Sequence, residues 1–435
     1  MQSHKLIARS LAAAFVAGPI DVESLVTRGA ELLGKRWRWL RPLARKIVAC
    51  HSAKTRPRAV LIEKMILTYA GFHRALYRGD DLHVANPLAI VPTMIPSPAA
   101  IGWEAPVEIT TPGELAAWLG VRTNELDWFA DLRGWNQRSD TECLRHYRYR
   151  VLPKRSGRTR LIEIPKARLK TLQRKILTEI LDRVPPHDAA HGFRSGRSIQ
   201  TFAQPHVGKQ VCVKLDLADF FPSIHLCQVQ GWFRAMGFPE KVADRLGGIC
   251  CTTTPDEVLA GESFETIRTY RRPHLAQGAP TSPALANLCA YRLDQRLAGL
   301  ADAVGATYTR YADDLVFSGN DAFYRVANRF PICVAAIAME EGFTVQHRKT
   351  RVMKQGVAQR IAGLVVNQQL NLPRKSFDTL KAILTNCIRH GPASQNRNGH
   401  PNFRAHLQGK ISYVASIHPA KGERLMQLFD QIDWR

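Results

Sequence analysis

Residues 306–318 read Ala306-Thr307-Tyr308-Thr309-Arg310-Tyr311-Ala312-Asp313-Asp314-Leu315-Val316-Phe317-Ser318. Two runs rich in β-branched and aromatic residues flank a short turn in this stretch, which predicts a β-hairpin. The turn presents the adjacent carboxylates of Asp313 and Asp314. Such neighbours repel each other, and without a cation one of the pair is driven toward its protonated form. On its own the pair also fits an ordinary solvated turn, so its meaning depends on what lies beside it.

A third carboxylate follows a second predicted strand. Val211-Cys212-Val213-Lys214-Leu215 is a short apolar run of the kind that forms a buried strand, and Asp216 comes directly after it. Carboxylates at the ends of neighbouring strands would make an oxygen-rich site, which suits Mg²⁺. Two Mg²⁺ ions about 3.5–4 Å apart can activate an attacking hydroxyl and stabilise a departing pyrophosphate. The two stretches together therefore predict a site for divalent metal ions.

A Gly- and Pro-rich segment lies between these carboxylates. It reads Gln277-Gly278-Ala279-Pro280-Thr281-Ser282-Pro283 and leads into an apolar run that begins a helix. Asp216 with Phe220-Phe221-Pro222, then this segment, then Tyr311-Ala312-Asp313-Asp314 resemble motifs A, B and C of reverse transcriptases. The motifs occur in the family's order, 61 positions (216 to 277) and then 36 positions (277 to 313) apart. The resemblance implies an α+β right-hand polymerase with fingers, a palm of antiparallel sheet plus helices, and a helical thumb.

Within the reverse transcriptases, the chain resembles the bacterial retron enzymes. The stretches that carry this resemblance are 191–199, the Pro-Thr-Ser-Pro form of motif B, and 361–367. Retron enzymes carry an Asn-Ala-x-x-His element and a Val-Thr-Gly element at such places. This chain departs from both patterns, because it has Phe202-Ala203-Gln204-Pro205-His206 and Ile361-Ala362-Gly363 instead.

The resemblance assigns roles to individual residues. Asp216, Asp313 and Asp314 resemble the catalytic, metal-binding carboxylates, which implies two Mg²⁺ ions as cofactors. Phe221 resembles the steric gate that excludes a ribose 2′-OH and so selects deoxynucleotides. Four further residues resemble substrate-binding positions. Lys154 and Arg160 resemble the fingers residues that bind the incoming triphosphate, and Gln277 resembles the motif B residue near sugar and template. Lys349 resembles the motif D lysine that protonates pyrophosphate. Lys349 fits a surface lysine equally well.

The implied activity is RNA-directed DNA polymerisation from deoxynucleoside triphosphates. In a retron, a cognate structured noncoding RNA is template and primer, and its cDNA remains joined to RNA as multicopy single-stranded DNA in an antiphage defence system. An effector protein is then an expected partner. The sequence has no RNase H-type acidic cluster after the polymerase motifs, so host RNase H is an expected partner too. Three alternatives remain open: an abortive-infection reverse transcriptase, an intron-encoded maturase, and an RNA-binding scaffold with incidental catalysis.

Composition agrees with a nucleic-acid partner and excludes several classes of protein. The 435 residues carry 61 Lys+Arg against 37 Asp+Glu, a net charge of +24, which favours a polyanionic partner. Nine cysteines without a CxxC pair predict no disulfide framework and a reducing, cytoplasmic location. No stretch is long and apolar enough to predict a membrane span. The apolar stretch 11–18 loosely imitates a signal peptide, but helical periodicity resumes at once and favours a helix.

Four segments are predicted along the chain. Residues 1–85 form a helical basic extension, 86–110 a Pro-rich linker, 111–370 the fingers and palm, and 371–435 the thumb. Between Lys35 and Arg58 there are nine Lys/Arg and no acid, with Trp37 and Trp39 inside the run. This run fits a basic face that holds phosphates and stacks on bases, and it equally fits a solvated helix with its indoles in a local core.

Local patterns predict several elements around the motifs. Thr111-Pro112-Gly113-Glu114 is a capping box that begins a helix, and 152–165 form two β-type runs around a Ser-Gly turn. The hairpin fits a triphosphate clamp or an ordinary charged hairpin. His187 and His191 have the spacing of zinc ligands on a helix, but Pro185-Pro186 and Gly192 favour a loop. Two amphipathic helices near 377–387 and 403–414 fit a thumb or a plain helical hairpin.

Overall fold

The computed structural model describes residues 3–50, 57–77, 82–86, 94, 96, 107–138, 141–153 and 159–434. The first part of the chain contains α1 (His4–Val16), α2 (Val22–Leu32), α3 (Leu40–Cys50), α4 (Ala59–Leu67), α5 (Ala70–Tyr77), α6 (Pro112–Leu119), α7 (Thr123–Ala130), α8 (Trp135–Arg138), β1 (Tyr147–Pro153), β2 (Thr159–Pro165) and α9 (Ala167–Glu179). The middle contains α10 (Ile199–Ala203), β3 (Val211–Asp216), α11 (Leu226–Ala235), α12 (Glu240–Cys250), β4 (Cys251–Thr252), α13 (Phe264–Tyr270), β5 (His274–Leu275) and α14 (Ser282–Cys289). The last part contains α15 (Tyr291–Ala303), β6 (Ala306–Tyr311), β7 (Asp314–Gly319), α16 (Asp321–Val326), α17 (Phe330–Glu340), β8 (Arg351–Lys354), β9 (Arg360–Ile361), β10 (Leu364–Val365), α18 (Arg374–His390), α19 (Phe403–Ile417) and α20 (Pro419–Phe429).

The elements belong to two compact units that interleave along the chain. One unit comprises Met1–Pro186 and Phe221–Cys289, and the other comprises His187–Phe220 and Ala290–Arg435. Both units mix helices with antiparallel strands, which confirms the predicted α+β class at this level. Over the described residues, no helix combines the length and the apolar character needed to cross a membrane.

The N-terminal helices α1–α5 pack around a hydrophobic core of their own. Apolar residues at helical spacing fill it, including Leu11 and Phe15 of α1, so the stretch that imitates a signal peptide lies in a buried helix here. Trp37 and Trp39 are only 8% and 9% exposed and belong to the same core. The structure therefore favours indoles that pack locally, and base stacking by these two rings is not supported.

The rest of the first unit carries the predicted hairpin. The predicted capping box at the start of α6 is confirmed, with Thr111 and Glu114 each bonding the other's backbone N–H. Strands β1 and β2 pair antiparallel with Pro153 opposite Thr159, and a basic helix, α9, follows. The turn between the strands, 154–158, and most of the Pro-rich stretch 86–110 lie outside the described residues.

The second unit is built on a four-stranded antiparallel sheet in the order β6-β7-β3-β8. The predicted buried strand is confirmed as β3, and the predicted hairpin is confirmed as β6 and β7. Behind the sheet, α18 and α19 bury the apolar faces expected from their periodicity, among them Leu384 and Ile411, in a core shared with Phe202 of α10. The same core includes Cys212 of β3 and Val316 of β7, so these helices pack directly against the sheet.

Candidate active site

Strand register brings three carboxylates to one end of the sheet. Asp216 is the last residue of β3 and stands opposite Asp314, the first residue of β7. Asp313 lies in the turn just before, and its carbonyl accepts a hydrogen bond of 2.9 Å from the backbone N–H of Leu217. The three aspartates singled out in the sequence are therefore neighbours on adjacent chain segments.

The turn that carries Asp313 and Asp314 has an uncommon backbone. Ala312 has φ of +53°, a left-handed conformation that a residue with a Cβ seldom adopts. Gly192 packs directly against it, and a Cβ at that glycine would lie 2.8 Å from the nitrogen of Ala312. The close approach explains why a glycine is needed at position 192.

Negative charge is crowded at this end of the sheet. The pKa of Asp313 is raised, first by burial and then by the charges of Asp216 and Asp314, although Lys349 acts in the opposite direction. Lys349 Nζ lies 2.8 and 2.9 Å from the two oxygens of Asp216. Lys214 Nζ, on β3, lies 2.8 Å from Oδ2 of Asp314. Two of the three carboxylates are thus neutralised by lysines.

Only one of these two lysines was identified from the sequence. Lys349 was singled out as a motif D lysine, and the structure brings it to the site. Lys214 was not singled out, although a signal was present: it lies two residues before Asp216, so both side chains leave the same face of β3. A lysine in an otherwise apolar strand, on the same face as an aspartate two residues later, is a candidate partner for the carboxylate site.

The carboxylates have the right chemistry for a hard cation, but they are not arranged as a preformed cage. Across the described parts of the chain, no group of three or more His, Cys, Asp or Glu side chains is placed to hold a metal ion. Carboxylate oxygens are the ligands that Mg²⁺ prefers, and Mg²⁺ is usually held by only one or two carboxylates plus substrate phosphates. Burial, and after it the charges of Asp216 and Asp314, raise the pKa of Asp313, and a cation bound there would relieve the part that comes from like charge.

The predicted nucleotide-binding residues of the first unit lie on β2 and on the segment after β5. Arg160 on β2 is exposed, whereas Lys154 lies outside the described residues. The carbonyl of Gln277 accepts a 3.0 Å hydrogen bond from the backbone N–H of Glu163. Gly278, with φ of +138°, lies so close to β2 that a Cβ would be 2.8 Å from the carbonyl oxygen of Glu163. The Gln-Gly pair of motif B is therefore fixed against the strand that carries Arg160.

A buried ion pair, missed at the sequence level, reinforces this contact. Glu163 and His274 are both fully buried, with Nε2 of His274 3.0 Å from Oε2 of Glu163. Thr254 donates a 2.7 Å hydrogen bond to the other carboxylate oxygen. Burial lowers the pKa of His274, but the Glu163 carboxylate outweighs burial, so the net shift is upward. The pair ties β2 to β5 directly before Gln277.

Phe221 is the first residue after the boundary between the two units at 220/221, and it lies within a series of turns. The backbone N–H of Ile224 donates a 3.1 Å hydrogen bond to the carbonyl of Phe221. Pro222 comes next and is buried, so its ring fixes the backbone there. The half-buried Phe221 ring is consequently carried by a well-defined turn.

His206 occupies the histidine position of the Asn-Ala-x-x-His element, from which this chain otherwise departs, and it is buried against the sheet. His206 is fully buried, and its Nε2 and Nδ1 lie 2.7 and 2.6 Å from the hydroxyls of Thr309 on β6 and Ser318 on β7. Thr309 donates its own proton to the carbonyl of Phe202, so Nε2–H of His206 donates to Thr309. Burial lowers the pKa of His206 to about 3, so the ring is neutral at pH 7 and its Nδ1 accepts from Ser318. The neutral ring therefore joins β6 to β7.

The His187 and His191 pair lies in a loop, as the flanking prolines and glycine predicted. The Nδ1 atom of His187 accepts a 3.2 Å hydrogen bond from the backbone N–H of Ala189. His191 Nδ1 lies 2.9 Å from the hydroxyl of Thr201. Each of these rings is accordingly engaged in holding local structure.

Neutral His206 makes the stability of this unit dependent on pH. Burial lowers the pKa of His206 to about 3, whereas an unfolded histidine titrates near 6.5. The unfolded state therefore binds a proton as pH falls through 6.5 and the folded state does not, so stability declines between pH 6.5 and 3. We expect a loss of about 2 kcal/mol from this residue between pH 7 and pH 5.

The measurement is urea unfolding at pH 7 and pH 5. His206→Gln should show a smaller loss between the two pH values, even if it is less stable at both. The matched control is His347→Gln, which alters an exposed histidine and should leave the pH dependence as in the wild type. An unchanged pH dependence in His206→Gln would refute the buried neutral ring.

An antiparallel sheet with three carboxylates at neighbouring strand ends indicates a polymerase that transfers nucleotides. Residues 152–378 match the family described as reverse transcriptase (RNA-dependent DNA polymerase). The chain is 43% identical over 316 residues to the retron Mx65 reverse transcriptase of Myxococcus xanthus, an alignment that covers 72% of this chain and 70% of the relative. It is 36% identical over 342 residues to the retron Mx162 reverse transcriptase of the same organism, covering 75% and 68%. It is 30% identical over 292 residues to the retron Ec86 reverse transcriptase of Escherichia coli, covering 66% and 82%. The chain therefore belongs to the reverse transcriptase family as a retron-type RNA-directed DNA polymerase.

Proposed function

We propose that this reverse transcriptase copies part of a cognate structured noncoding RNA into single-stranded DNA that stays joined to RNA. The observation that carries the proposal is the likeness to retron reverse transcriptases, together with the carboxylates at the strand ends. In this proposal the four-stranded sheet is the palm, the β1–β2 hairpin belongs to the fingers, and α18–α20 form the thumb. The net charge of +24 supports a nucleic acid as the bound polymer.

Asp216, Asp313 and Asp314 are the proposed ligands of two Mg²⁺ ions. When bound, the ions would lower the cost of deprotonating the primer hydroxyl and would stabilise the charge on pyrophosphate. Lys349 and Lys214 now neutralise two of these carboxylates, and both would compete with a metal ion for them. We propose Lys349 as the residue that donates a proton to pyrophosphate, since its ammonium group is already held at the site.

The nucleotide is proposed to lie against β2 and the motif B segment of the first unit. Arg160, with Lys154, would bind the triphosphate, and Gln277 would contact the sugar and template. Phe221 would exclude a ribose 2′-OH. The hydrogen bond between Glu163 and Gln277 supports this set, because it fixes the distance between the strand of Arg160 and the motif B segment.

Sequencing the nucleic acid that copurifies with the protein tests the proposal. Wild-type protein should carry a DNA strand of defined sequence, linked to an RNA that is encoded next to its own gene and contains inverted repeats. Digestion with a 2′–5′ debranching enzyme should release the DNA from a branched linkage. DNA without a template sequence would favour an abortive-infection enzyme, and RNA with no DNA at all would favour an RNA-binding scaffold.

The basic face of the N-terminal helices is the proposed second contact with the RNA. Arg38, Arg45 and Lys46 are exposed on or just before α3, on the side opposite its buried apolar residues. Reversing all three to Glu should weaken binding of structured RNA by about 10–100-fold at 0.15 M salt, because each cation that contacts a phosphate contributes to affinity. The steepness of the salt dependence should fall as well. Filter binding over a salt series measures both quantities.

A matched variant separates this surface from net charge alone. Lys5→Glu, Lys64→Glu and Arg74→Glu make the same charge change on α1, α4 and α5, where all three side chains are exposed. This control should lose less than about 3-fold in affinity. Equal weakening in both variants would show that charge acts non-specifically and would remove the proposed RNA-binding face.

Antiphage defence, an effector protein and template removal by host RNase H follow from the retron assignment and belong to the same proposal. We place the protein in the cytoplasm, where its cysteines would stay reduced. All nine cysteines lie within the described residues, and each is a free thiol. A test of defence is the plating efficiency of phage on cells that carry the intact locus, compared with cells whose enzyme has the Asp313→Asn and Asp314→Asn changes.

A further inference from the structure

A buried ion pair lies directly beneath the catalytic turn. Arg310, on β6, and Asp294, on α15, are both completely buried. The guanidinium binds the carboxylate with two hydrogen bonds, from Nε to Oδ1 at 2.7 Å and from Nη2 to Oδ2 at 2.6 Å. Tyr308 donates a third, of 2.8 Å, to Oδ1. The carboxylate therefore accepts three hydrogen bonds although it is completely buried.

Stability alone does not explain such a pair. Removing both charges from water carries a penalty that the mutual attraction only partly recovers, and well-packed apolar residues of similar volume are often as stable or more stable. Arg310 is the largest fully buried side chain in the described residues. An apolar residue would fill this space at lower cost, which indicates that the guanidinium has another task.

A third donor of Arg310 reaches the turn that carries Asp313 and Asp314. Its Nη1 donates a 3.2 Å hydrogen bond to the carbonyl of Ala312, the residue with φ of +53° that precedes Asp313 and Asp314. A left-handed backbone is unfavourable for a residue with a Cβ, so surrounding contacts must hold it. Arg310 holds the turn from beneath, and the close packing of Gly192 restrains it from the side.

The backbone of Arg310 is itself fixed. Its N–H donates a 2.7 Å hydrogen bond to the carbonyl of Ala189, and its carbonyl accepts one of 2.8 Å from the N–H of His191. The guanidinium is thus anchored at its own backbone and at Asp294, and it projects from these two points toward the turn. A side chain fixed at both ends is well suited to transmit position.

We infer that Asp294 and Arg310 are positioning residues, which hold the Ala312 backbone so that the Asp313 and Asp314 carboxylates point in the direction that catalysis requires. This inference rests on the proposed metal-binding role of those carboxylates and adds the ion pair that orients them. Asp294 orients Arg310, Arg310 fixes the turn, and neither residue touches a substrate. Loss of this ion pair should reduce kcat while binding of primer–template is retained.

The decisive variant removes all charge and leaves the space filled. Asp294→Leu, Arg310→Met and Tyr308→Phe together replace the three bonded groups with apolar side chains of similar volume. The melting temperature should stay within a few degrees of the wild-type value, while kcat for primer extension should fall at least about 100-fold. The KM for deoxynucleotide and the Kd for primer–template should change less than about 3-fold. Binding of Mn²⁺ alone, followed by electron paramagnetic resonance, should weaken at least about 10-fold.

Two single variants make the test independent of whether the triple variant folds. Tyr308→Phe removes a donor to Asp294 but leaves Arg310 in place, so kcat and Mn²⁺ affinity should stay near the wild-type values. Arg310→Lys can keep the ion pair but has a single nitrogen, which cannot bind Asp294 twice and also reach Ala312. It should fold and show the same fall in kcat and in Mn²⁺ affinity as the triple variant.

The possible outcomes separate the positioning role from the site itself. Wild-type kcat and Mn²⁺ affinity in a folded triple variant, or in Arg310→Lys, would overturn the positioning role. If Asp313→Asn with Asp314→Asn keeps both synthesis and Mn²⁺ binding, the proposed metal site itself is wrong. A fall in kcat for the triple variant and for Arg310→Lys, with Tyr308→Phe unaffected, supports the inference.

Discussion

Replacing Asp313 and Asp314 together with Asn is expected to abolish DNA synthesis, with a loss of at least about 1,000-fold, or about 4 kcal/mol of transition-state stabilisation. The amide side chains keep the size of the carboxylates but remove the two charges that would hold metal ions. The fold should not suffer, because the turn is crowded with like charge, and burial and Asp216 raise the pKa of Asp313. Removing that repulsion offsets the loss of the ion pair between Asp314 and Lys214, so the melting temperature should stay close to the wild-type value.

Primer extension on an RNA template measures the loss, and filter binding checks that RNA affinity is retained. The matched control is Asp302→Asn with Asp321→Asn, which makes the same charge change at two exposed positions of the same unit. This control should polymerise at the wild-type rate. Synthesis that persists in the variant of the turn would contradict the assignment of these residues as metal ligands.

The local elements around the site were accessible from sequence because their signals are local. The apolar run before Asp216 is a buried strand in the structure, and the hairpin that carries Asp313 and Asp314 lies where the β-branched runs predicted it. Turn residues and alternating apolar residues act over a few positions, so they can be recognised without any knowledge of the partner strand.

Strand register and the interleaving of units were not accessible in the same way. Asp216 stands opposite Asp314 although they are far apart in sequence, and no local pattern specifies which residues of two strands face each other. The division of the chain at 186/187, 220/221 and 289/290 was likewise not predicted from the sequence. Both depend on packing between distant segments.

The buried polar residues were missed because burial cannot be read from a single charged position. Asp294 and Arg310 resemble ordinary surface residues of a helix and a strand, yet both are fully buried. For Trp37 and Trp39 the sequence left two interpretations open, because a basic run with indoles fits either a base-stacking face or a local core. Only the packing of α1–α5 placed both rings in the core. A weak signal did exist for His206, which occupies the histidine position of a retron element.

Phe221→Ala is expected to raise the use of ribonucleotides relative to deoxynucleotides by about 100-fold, or roughly 2.7 kcal/mol. A steric gate acts by leaving no room for one extra oxygen, so its selectivity is lost when the ring is removed. The phenyl ring sits on a turn fixed by the hydrogen bond from Ile224 to the Phe221 carbonyl and by the buried Pro222. The neighbouring backbone should therefore not collapse into the space that alanine leaves.

The measured quantity is the ratio of kcat/KM for a ribonucleotide to that for the matching deoxynucleotide on one primer–template. The use of deoxynucleotides should change little, since the gate contributes by exclusion and not by binding. Phe264→Ala is the matched control, because it makes the same substitution at a ring that is 78% exposed on α13, and it should leave the ratio unchanged. An unchanged ratio in Phe221→Ala would mean that sugar selectivity has another origin. A loss of all synthesis would instead assign the ring to binding of the nucleotide, because a purely excluding residue cannot slow the correct substrate when it is removed.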